Sequence, residues 1–511
     1  MKTNRLITSF LVMAAAVQLS VAQNENLPMA DGIFQPNDES LKQYEYPEWF
    51  SDAKFGIWSH WGPQAVPRQG DWYARKLYIE ENFNRKTGEK LGKPDPHYTW
   101  HNEHYGHPSE FGYKDIIPLW KAEKFDPEAL MKLYKRVGAK YFVSMGVHHD
   151  NFFLWDSQIH RWNSVDMGPK RDIVGDWQKA AKKEGLKFGV SEHLGASYTW
   201  YQTAKGADAE GPMAGVPYDG NDPEYQDLYH KKAAPGDTDW YTTDPEWQRE
   251  WYDRIVELID MYHPDLLYTD GKIPFENEVG RSMIAHYYNQ DMARNKENTV
   301  VYNCKEASDG RFVHDLERGI IEGIAPYPWQ TDTSIGNWFY KTTQGYSSSD
   351  EILQMLVDIV SKNGNLLLNV VQTPEGDLED NVMEILEDMA DWMDINGEAI
   401  FETRPWIVFG EGPSLSMDQG KGHAEGIKDI RSYLPGDVRF TQKGDTIYAF
   451  AMEHPEGDLV IKSMPSTTKV KSVKMLGGKG KVSFTQAASG ELTIHTPEIS
   501  TERSVVVFEI K

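Results

Sequence analysis

The chain has 511 residues, a formal net charge of −25 and 40% hydrophobic residues. Its length predicts two domains, and its apolar content suffices for sizeable cores. The acidic balance disfavours binding to nucleic acid or to an anionic membrane surface, so a neutral ligand fits better. The aromatic fraction of 12%, with 17 Trp and 26 Tyr, supplies ring faces suited to sugar C–H surfaces, although most of these rings are expected in the core.

The N-terminus has the pattern of a secretory signal peptide. Lys2 and Arg5 precede an apolar stretch over residues 6–19, and Ser20-Val21-Ala22 provides a small-x-small cleavage site. We therefore predict a signal peptide over residues 1–22 and export to a periplasm or out of the cell. No later run is apolar enough to span a bilayer, so membrane insertion is not expected.

Six segments have the pattern of buried strands that end in polar residues. In chain order they are FGIWSHWG, KYFVSMGVHHD, LKFGVSEH, HPDLLYTDGK, TVVYNCKE and GNLLLNVVQ. Helical patterns lie between them at 126–137, 174–184 and 245–261. Strands that alternate with helices over roughly 350 residues predict a parallel (β/α) barrel of TIM type, whose active site faces the carboxyl ends of the strands.

The most informative strand end is Asp270, which follows the apolar run Leu266–Leu267–Tyr268. A carboxylate at the carboxyl end of a barrel strand is in a position to act in catalysis. The alternative is that Asp270 caps the next secondary-structure element. Chemistry is favoured because the other strand ends also carry polar residues, namely His60, His148, His149, Asp150, Glu192, His193, Lys305, Asn369 and Gln372. The only cysteine, Cys304, lies on a predicted strand, where we expect a buried small residue rather than a nucleophile.

Past Trp406 the composition changes to short β-branched segments separated by turn residues. The segments are DTIYAFAME, GDLVIKS, VKSVKML, KVSFTQAA, ELTIHT and SVVVFEI. They predict a C-terminal antiparallel β-sandwich over residues 407–511, after a catalytic barrel domain over residues 23–406. We expect the sandwich to pack on the barrel and stabilise it. Residues 80–112 have the composition of a long polar loop over the barrel mouth, where a lid would shape specificity.

Seven segments resemble, in order, the successive blocks of glycoside hydrolase family twenty-nine, the retaining α-L-fucosidases. They are WFSDAKFGIWSHWGPQAVP, GDWYARKLY, VHHDNFFLWDS, HPDLLYTDG, PWQTDTSIGNWFY, VSKNGNLLLNVVQTPEG and INGEAIFETRPW, and they lie within roughly residues 40 to 410. The resemblance implies a barrel followed by a sandwich and an exported, exo-acting α-L-fucosidase that needs no cofactor. Its substrate would be a fucosylated oligosaccharide or glycoconjugate, with a branched glycan as plausible as a simple fucoside.

The resemblance also implies the catalytic pair. The Asp that closes the family's PD-x-x-W/Y-x-D block is the nucleophile, and that position is Asp270 here. Attack of a carboxylate on the anomeric carbon gives a glycosyl ester that water can hydrolyse. Glu317 is our choice for the acid/base, because it stands about a dozen residues before Trp329, and Glu322 is its rival. The neighbouring Arg318 leaves open an ordinary surface ion pair with Glu317.

Fucose recognition is implied at other positions of the family blocks. These are His60, Asp71, Trp72, Tyr73, His148, His149, Tyr268 and Trp329. Imidazoles suit sugar hydroxyls because each ring can donate and accept a hydrogen bond. Trp329 is expected to form an apolar wall against the fucose methyl group. Asp71 stands where Glu is more usual, and Tyr268 replaces a Trp of many members.

Two further departures concern strand ends. Glu192 and His193 stand where many members have Tyr-Tyr-Ser, so they either replace a tyrosine contact or support the pocket floor. Lys305 stands where some members carry Arg. These changes leave the reaction class intact and leave subsite and leaving-group preference open.

Two other functions are consistent with parts of the sequence pattern. In a metal-dependent hydrolase the ligands would be His60, His148, His149, Asp150 and His193. Adjacent histidines on a strand, however, point to opposite faces unless the backbone bends there. In a non-catalytic protein that binds fucosylated glycans, the barrel would persist without turnover. The presence of both Asp270 and a candidate Glu argues against that function.

Overall fold

The computed structural model describes residues 27–82, 90–416, 432–499 and 501–511, so the predicted signal peptide lies outside the described residues. Eight strands form a parallel sheet in the order β6-β5-β4-β3-β2-β1-β8-β7. They are β1 (Phe55–Ser59), β2 (Tyr141–Val147), β3 (Lys187–Glu192), β4 (Leu266–Thr269), β5 (Val301–Cys304), β6 (Val313–His314), β7 (Trp329–Ser334) and β8 (Gly364–Asn369). The six strands predicted from the sequence are β1 to β5 and β8.

The barrel closes between β6 and β7 through a short seam rather than a full ladder. Asp315 forms a parallel bridge with Gln330. Beyond it, the amide of Leu316 donates to Gln330 O at 2.9 Å, and the amide of Arg318 donates to Asp332 O at 2.8 Å. The expected TIM-type barrel is therefore confirmed, and the seam fixes the chain just after β6 against β7.

The α-helices lie mainly in the connections between barrel strands. They are α1 (Asp38–Leu41), α2 (Glu48–Ala53), α3 (Tyr73–Lys76), α4 (Pro96–His104), α5 (Tyr113–Ile116), α6 (Pro127–Arg136), α7 (Ile173–Glu184), α8 (Ser197–Trp200), α9 (Gln226–Tyr229), α10 (Pro245–Tyr262), α11 (Glu278–Asn295), α12 (Ser349–Ser361) and α13 (Asp380–Asn396). The three predicted helices are α6, α7 and α10. Each has an Asp at its N-cap whose carboxylate accepts a backbone N–H of the first turn.

Residues 80–112 do not form one long loop. Within the part of this segment that the structure describes, residues 96–104 form helix α4, because Asp95 caps it and Pro96 occupies its first position. We missed this helix because its residues are mostly polar and aromatic and lack an apolar stripe. In the described ranges of the chain, no helix has the length and apolar character needed to cross a membrane.

The C-terminal domain consists of two antiparallel sheets. Their strands are β9 (Arg404–Glu411), β10 (Val438–Lys443), β11 (Thr446–Ala451), β12 (Leu459–Ile461), β13 (Val473–Met475), β14 (Phe484–Gln486), β15 (Leu492–Ile494) and β16 (Val506–Ile510). One sheet has the order β13-β16-β11-β10-β9 and the other β12-β15-β14. A separate apolar core lies between them. The expected sandwich is confirmed, and the domain boundary drawn after residue 406 falls inside β9.

A buried ion pair joins the sandwich to the barrel. Arg439 on β10 is fully buried, and its Nε donates to Asp358 Oδ1 on α12 at 2.6 Å. Lys362 Nζ donates to the other oxygen of Asp358 at 2.7 Å. Nearby, Thr441 Oγ1 donates to Ala399 O at 2.7 Å. The sandwich therefore packs on the outer helices of the barrel, as expected.

Replacing Arg439 by Met should destabilise the protein by about 3 kcal/mol, because one buried oxygen of Asp358 loses its charged partner. Chemical denaturation measures the loss. The matched control is Lys443→Met, which removes an exposed ion pair with Glu402 at the same junction and should cost less than about 1 kcal/mol. Equal losses in the two variants would contradict a structural role for the buried pair.

Candidate active site

The nucleophile candidate Asp270 lies at the carboxyl edge of the barrel, directly after β4. Its amide donates to Glu192 O at 3.1 Å, which continues the ladder with β3 by one residue. The carboxylate is almost buried and faces two imidazoles, with Oδ2 at 3.3 Å from His149 Nε2 and 3.6 Å from His193 Nδ1. Three neighbouring strand ends thus converge on one oxygen atom, as the barrel topology predicts.

One ammonium group lies between the two catalytic candidates. Lys305 follows β5, and its Nζ lies 2.5 Å from Asp270 Oδ1 and also contacts Glu317 Oε2. The backbone orients Lys305, since its amide donates to Gly271 O at 2.6 Å. We call Asp270, Lys305 and Glu317 the charge triad.

The charge triad determines the ionisation of the nucleophile candidate. Burial alone would raise the pKa of Asp270, but the Lys305 ammonium and the adjacent imidazoles hold it well below its usual value. Burial likewise works against the charged form of Lys305, and Asp270 and Glu317 together raise its pKa well above the ordinary range. Asp270 is therefore a carboxylate and Lys305 an ammonium throughout the neutral pH range.

Three buried histidines form the floor beside the charge triad. His60, at the end of β1, packs against His148 and His193, with ring centroids 5.0 and 5.4 Å away. Burial lowers the pKa of His60 and His148 well below the ordinary value and that of His193 to about 3, so all three rings are neutral. Among the described residues, His60 Nδ1 and His193 Nε2 have no hydrogen-bond partner. Buried polar atoms of this kind suit the hydroxyl groups of a ligand.

His148 and His149 both face the site, contrary to the expectation for adjacent residues of a strand. The strand β2 ends at Val147, and the chain then turns, so the two rings approach to 4.5 Å between centroids. Gln64 Nε2 donates to His148 Nδ1 at 2.8 Å, which places the ring proton of His148 on Nε2. His149 Nδ1 donates to His193 O at 2.6 Å, which aims its Nε2 at Asp270.

The GDWY block contributes two of its three predicted residues. Asp71 Oδ1 lies 3.8 Å from His148 Nε2, and burial raises the pKa of Asp71 to about 6. Trp72 packs edge-on against His149, with 6.0 Å between ring centroids. Tyr73, in contrast, is fully buried and points into α4, where its hydroxyl meets His101 Nδ1 at 2.7 Å. Tyr73 is not brought to the site, because adjacent residues at the start of a helix diverge.

Tyr268 lies in the barrel interior beneath the charge triad. Its hydroxyl donates to Asp332 Oδ2 at 3.2 Å, and its ring lies 5.8 Å from that of His193. The prediction that Trp329 contacts the fucose methyl group is wrong, because Trp329 does not lie at the site. Trp329 begins β7 and therefore lies at the amino end of the barrel, where its indole donates to Lys362 O at 3.1 Å.

A different tryptophan, Trp338, lies at the site, and the sequence pattern did not predict it. The ring of Trp338 is 5.4 Å from His60 and 5.5 Å from Trp58, in the loop after β7. The guanidinium of Arg318 lies over Trp338, 4.5 Å from its ring centroid, instead of forming a surface pair with Glu317. The only sequence signal for Trp338 is its place in the final WFY of the family block PWQTDTSIGNWFY.

The two glutamate candidates differ in placement. Glu317 is half-buried and shares Lys305 with Asp270, whereas Glu322 is exposed to solvent. The seam between β6 and β7 holds the chain on both sides of Glu317. The geometry therefore favours Glu317.

The remaining strand-end residues support the site. Glu192 is buried and accepts hydrogen bonds from Leu194 N at 2.8 Å and Trp251 Nε1 at 3.3 Å, and its burial raises its pKa to about 7. Of the pair, His193 faces the pocket and Glu192 supports the backbone behind it. Cys304 is a buried free thiol whose pKa burial raises, which fits a structural residue.

A parallel barrel that presents two carboxylates, neutral imidazoles and aromatic rings at the carboxyl ends of its strands is the arrangement of a glycoside hydrolase. Comparison with known proteins gives the family. The family profile described as "Alpha-L-fucosidase" matches residues 21–398, and the profile "Alpha-L-fucosidase C-terminal domain" matches residues 432–510. The chain belongs to the α-L-fucosidase family of glycoside hydrolases.

Individual relatives agree with this assignment. The tissue α-L-fucosidase of Mus musculus is 28% identical over 92% of each chain. The tissue α-L-fucosidase of Homo sapiens is 28% identical over 91% of this chain and 88% of its own. A crystal structure of Thermotoga maritima α-fucosidase in complex with a mechanism-based inhibitor is 27% identical, with a TM-score of 0.71 over 93% of this chain and 99% of that one.

Replacing Lys305 by Met should move the acidic limb of the pH profile to higher pH. The ammonium keeps the pKa of Asp270 low, so its removal raises that pKa and protonates the carboxylate at a pH where the parent is ionised. Measuring kcat/KM for an aryl α-L-fucoside across the acidic range tests this.

Two further variants sharpen the test. Lys305→Arg keeps the positive charge, so the acidic limb of its pH profile should stay at the pH of the parent. Lys272→Met removes an exposed lysine two residues after Asp270 and should change neither limb. An unmoved limb in Lys305→Met would contradict electrostatic control by this ammonium.

Proposed function

We propose that the protein is an exo-acting α-L-fucosidase that removes terminal α-L-fucose with retention, using Asp270 as the nucleophile and Glu317 as the acid/base. The observation that carries the proposal is the shared contact with Lys305. Two oxygens that touch one Nζ cannot lie more than about 5 Å apart, which fits the spacing of about 5 to 5.5 Å in retaining enzymes. Inverting enzymes need about 6.5 to 9.5 Å to admit a water molecule.

In the first step, Asp270 Oδ2 or Oδ1 attacks the anomeric carbon while Glu317 donates a proton to the leaving oxygen. The product is a β-linked fucosyl ester of Asp270 and a free alcohol. The low pKa of Asp270 supports this role, since the attacking group must be ionised. In the second step, Glu317 takes a proton from water, the water attacks the same carbon, and Asp270 leaves as a carboxylate.

Recognition of the sugar falls to the neutral ring nitrogens and to Asp71. His148 offers a proton on Nε2, and His60 Nδ1 and His193 Nε2 are unpartnered within the described chain. Several donors and acceptors in a small buried floor suit the closely spaced hydroxyls of one terminal sugar. This supports an exo action on fucosylated oligosaccharides or glycoconjugates.

The histidines also support a second candidate function. Nitrogens of His60, His148 and His193 lie within 4.8 Å of one another, and so do ligand atoms of His149, His193 and Asp270, as in a metal-dependent hydrolase. The Lys305 ammonium disfavours a dication at Asp270, because two cations would compete for one carboxylate. A chelator should therefore leave the activity unchanged.

The decisive experiment is hydrolysis of an aryl α-L-fucoside by the parent, Asp270→Ala and Glu317→Ala, with and without azide. We expect near-total loss in Asp270→Ala. We expect azide to rescue Glu317→Ala and to give α-fucosyl azide, because azide displaces Asp270 from the β-linked fucosyl ester with inversion and needs no base catalysis.

The control variant is Glu322→Ala, which should retain activity. Rescue at Glu322→Ala instead of Glu317→Ala would reverse the assignment of the acid/base. A β-linked azide from Glu317→Ala would exclude retention through the fucosyl ester. A parent that binds a fucosylated glycan but does not hydrolyse any fucoside would indicate the binding-protein alternative, and loss of activity with a chelator would indicate the metal site.

We also infer that the protein is exported. The basic start, the apolar stretch and the Ser20-Val21-Ala22 site support this inference. N-terminal sequencing of protein expressed in a bacterium that cleaves secretory signals should find a mature chain beginning near Gln23. A chain that keeps residues 1–22 would contradict the inference.

A further inference from the structure

An exposed tryptophan lies on the rim of the site, next to the nucleophile candidate. Trp240 belongs to the long connection between β3 and α10, and 39% of its surface is exposed. Its ring lies edge-on to that of His149, with 5.1 Å between centroids. Because His149 itself contacts Asp270, only one side chain separates Trp240 from the reacting centre.

The backbone holds Trp240 in a fixed position. The hydroxyl of the next residue, Tyr241, reaches Asp270 O at 3.2 Å and Lys272 O at 2.9 Å. Thr199 Oγ1 donates to Trp240 O at 3.1 Å. Two of these hydrogen bonds tie the segment that carries Trp240 to the turn after the nucleophile, and the third ties it to helix α8.

Gly271 makes this close approach possible. Its φ is +97°, and a Cβ there would lie 2.6 Å from the Tyr241 hydroxyl and 3.0 Å from Trp240 Nε1. Any larger residue would push the connection away from Asp270. A glycine directly after the nucleophile is therefore required for Trp240 to lie this close to Asp270.

Trp240 extends an aromatic surface that begins inside the pocket. Its ring plane is inclined by 26° to that of Trp72, with 6.3 Å between centroids, and both rings stand nearly perpendicular to His149. Trp72 is only partly exposed, so Trp240 is the outer member of the pair. The surface therefore runs from the floor toward solvent, in the direction from which a glycan must enter.

We propose that Trp240, backed by Trp72, is a binding platform for the sugar ring to which the terminal fucose is attached. A pyranose presents an apolar C–H face, and an ordered indole offers a complementary surface at little entropic cost. The platform makes the enzyme favour fucose linked to another sugar over fucose on a small leaving group. This inference rests on the proposed fucosidase function and adds the class of group on the leaving side.

The test compares two substrates that share the fucose and differ in the leaving group. One is α-L-fucosyl fluoride, which has no ring beyond the fucose, and the other is a fucosylated disaccharide. In Trp240→Ala, kcat/KM for the disaccharide should fall about tenfold more than that for the fluoride, mainly through KM. Trp240→Phe keeps an aromatic face and should recover part of the loss.

The matched control is Tyr327→Ala, an exposed aromatic residue just before the amino end of β7, on the opposite side of the barrel. It should leave both substrates unaffected. Equal losses for the two substrates in Trp240→Ala, or loss for the disaccharide with Tyr327→Ala as well, would overturn the platform. Failure of the parent to hydrolyse the fluoride would instead contradict the proposed function itself.

Discussion

The structure of the site depends on one ammonium group, that of Lys305, which contacts both catalytic candidates. Placing Asp270 in a buried pocket disfavours its charge, yet the reaction needs it ionised. An opposite charge at about 4 Å contributes about 4 kcal/mol at the effective dielectric of a protein. Together with the adjacent imidazoles, the ammonium outweighs the effect of burial on Asp270. The same ammonium contacts Glu317, which limits the distance between the two oxygens. Entry of the glycosidic oxygen beside Glu317 must loosen that contact before Glu317 can act as an acid.

The layer beneath the charge triad helps to stabilise the charge of the largely buried Lys305 side chain. Asp315 and Asp332 meet in the barrel interior, where burial raises the pKa of Asp315 well above its usual value and that of Asp332 to about 6. At neutral pH Asp315 is therefore protonated and Asp332 carries the negative charge of the pair. Gln330 donates to Asp315 Oδ2 and Tyr268 donates to Asp332 Oδ2. That remaining charge faces the ammonium and adds to the rise in its pKa.

This polar interior also sets the limit of what the sequence could predict. Strands β1 to β5 and β8 could be predicted because their buried residues are largely apolar. Strand β7 has Gln330, Asp332 and Ser334 at buried positions and so lacks an apolar pattern. Asp270 was found because a strand end has a fixed place in a barrel. Trp329 was misplaced because its strand had not been recognised, so its position at the amino end could not be known. Trp240 lies in an irregular loop, where no periodicity marks a side chain.

Two of the departures from the family pattern, Tyr268 and Lys305, are connected through Asp332. Tyr268 replaces a Trp of many members, and its hydroxyl supplies a donor that an indole could not direct to Asp332 in the same way. Asp332 in turn contributes to the charged state of Lys305, which stands where some members have Arg. Because each of these buried polar groups satisfies the next, a change at one position alone leaves an unpaired group in the barrel interior. Tyr268, Asp332 and Lys305 therefore depend on one another. The charge distribution beneath Asp270 is determined by all three residues together.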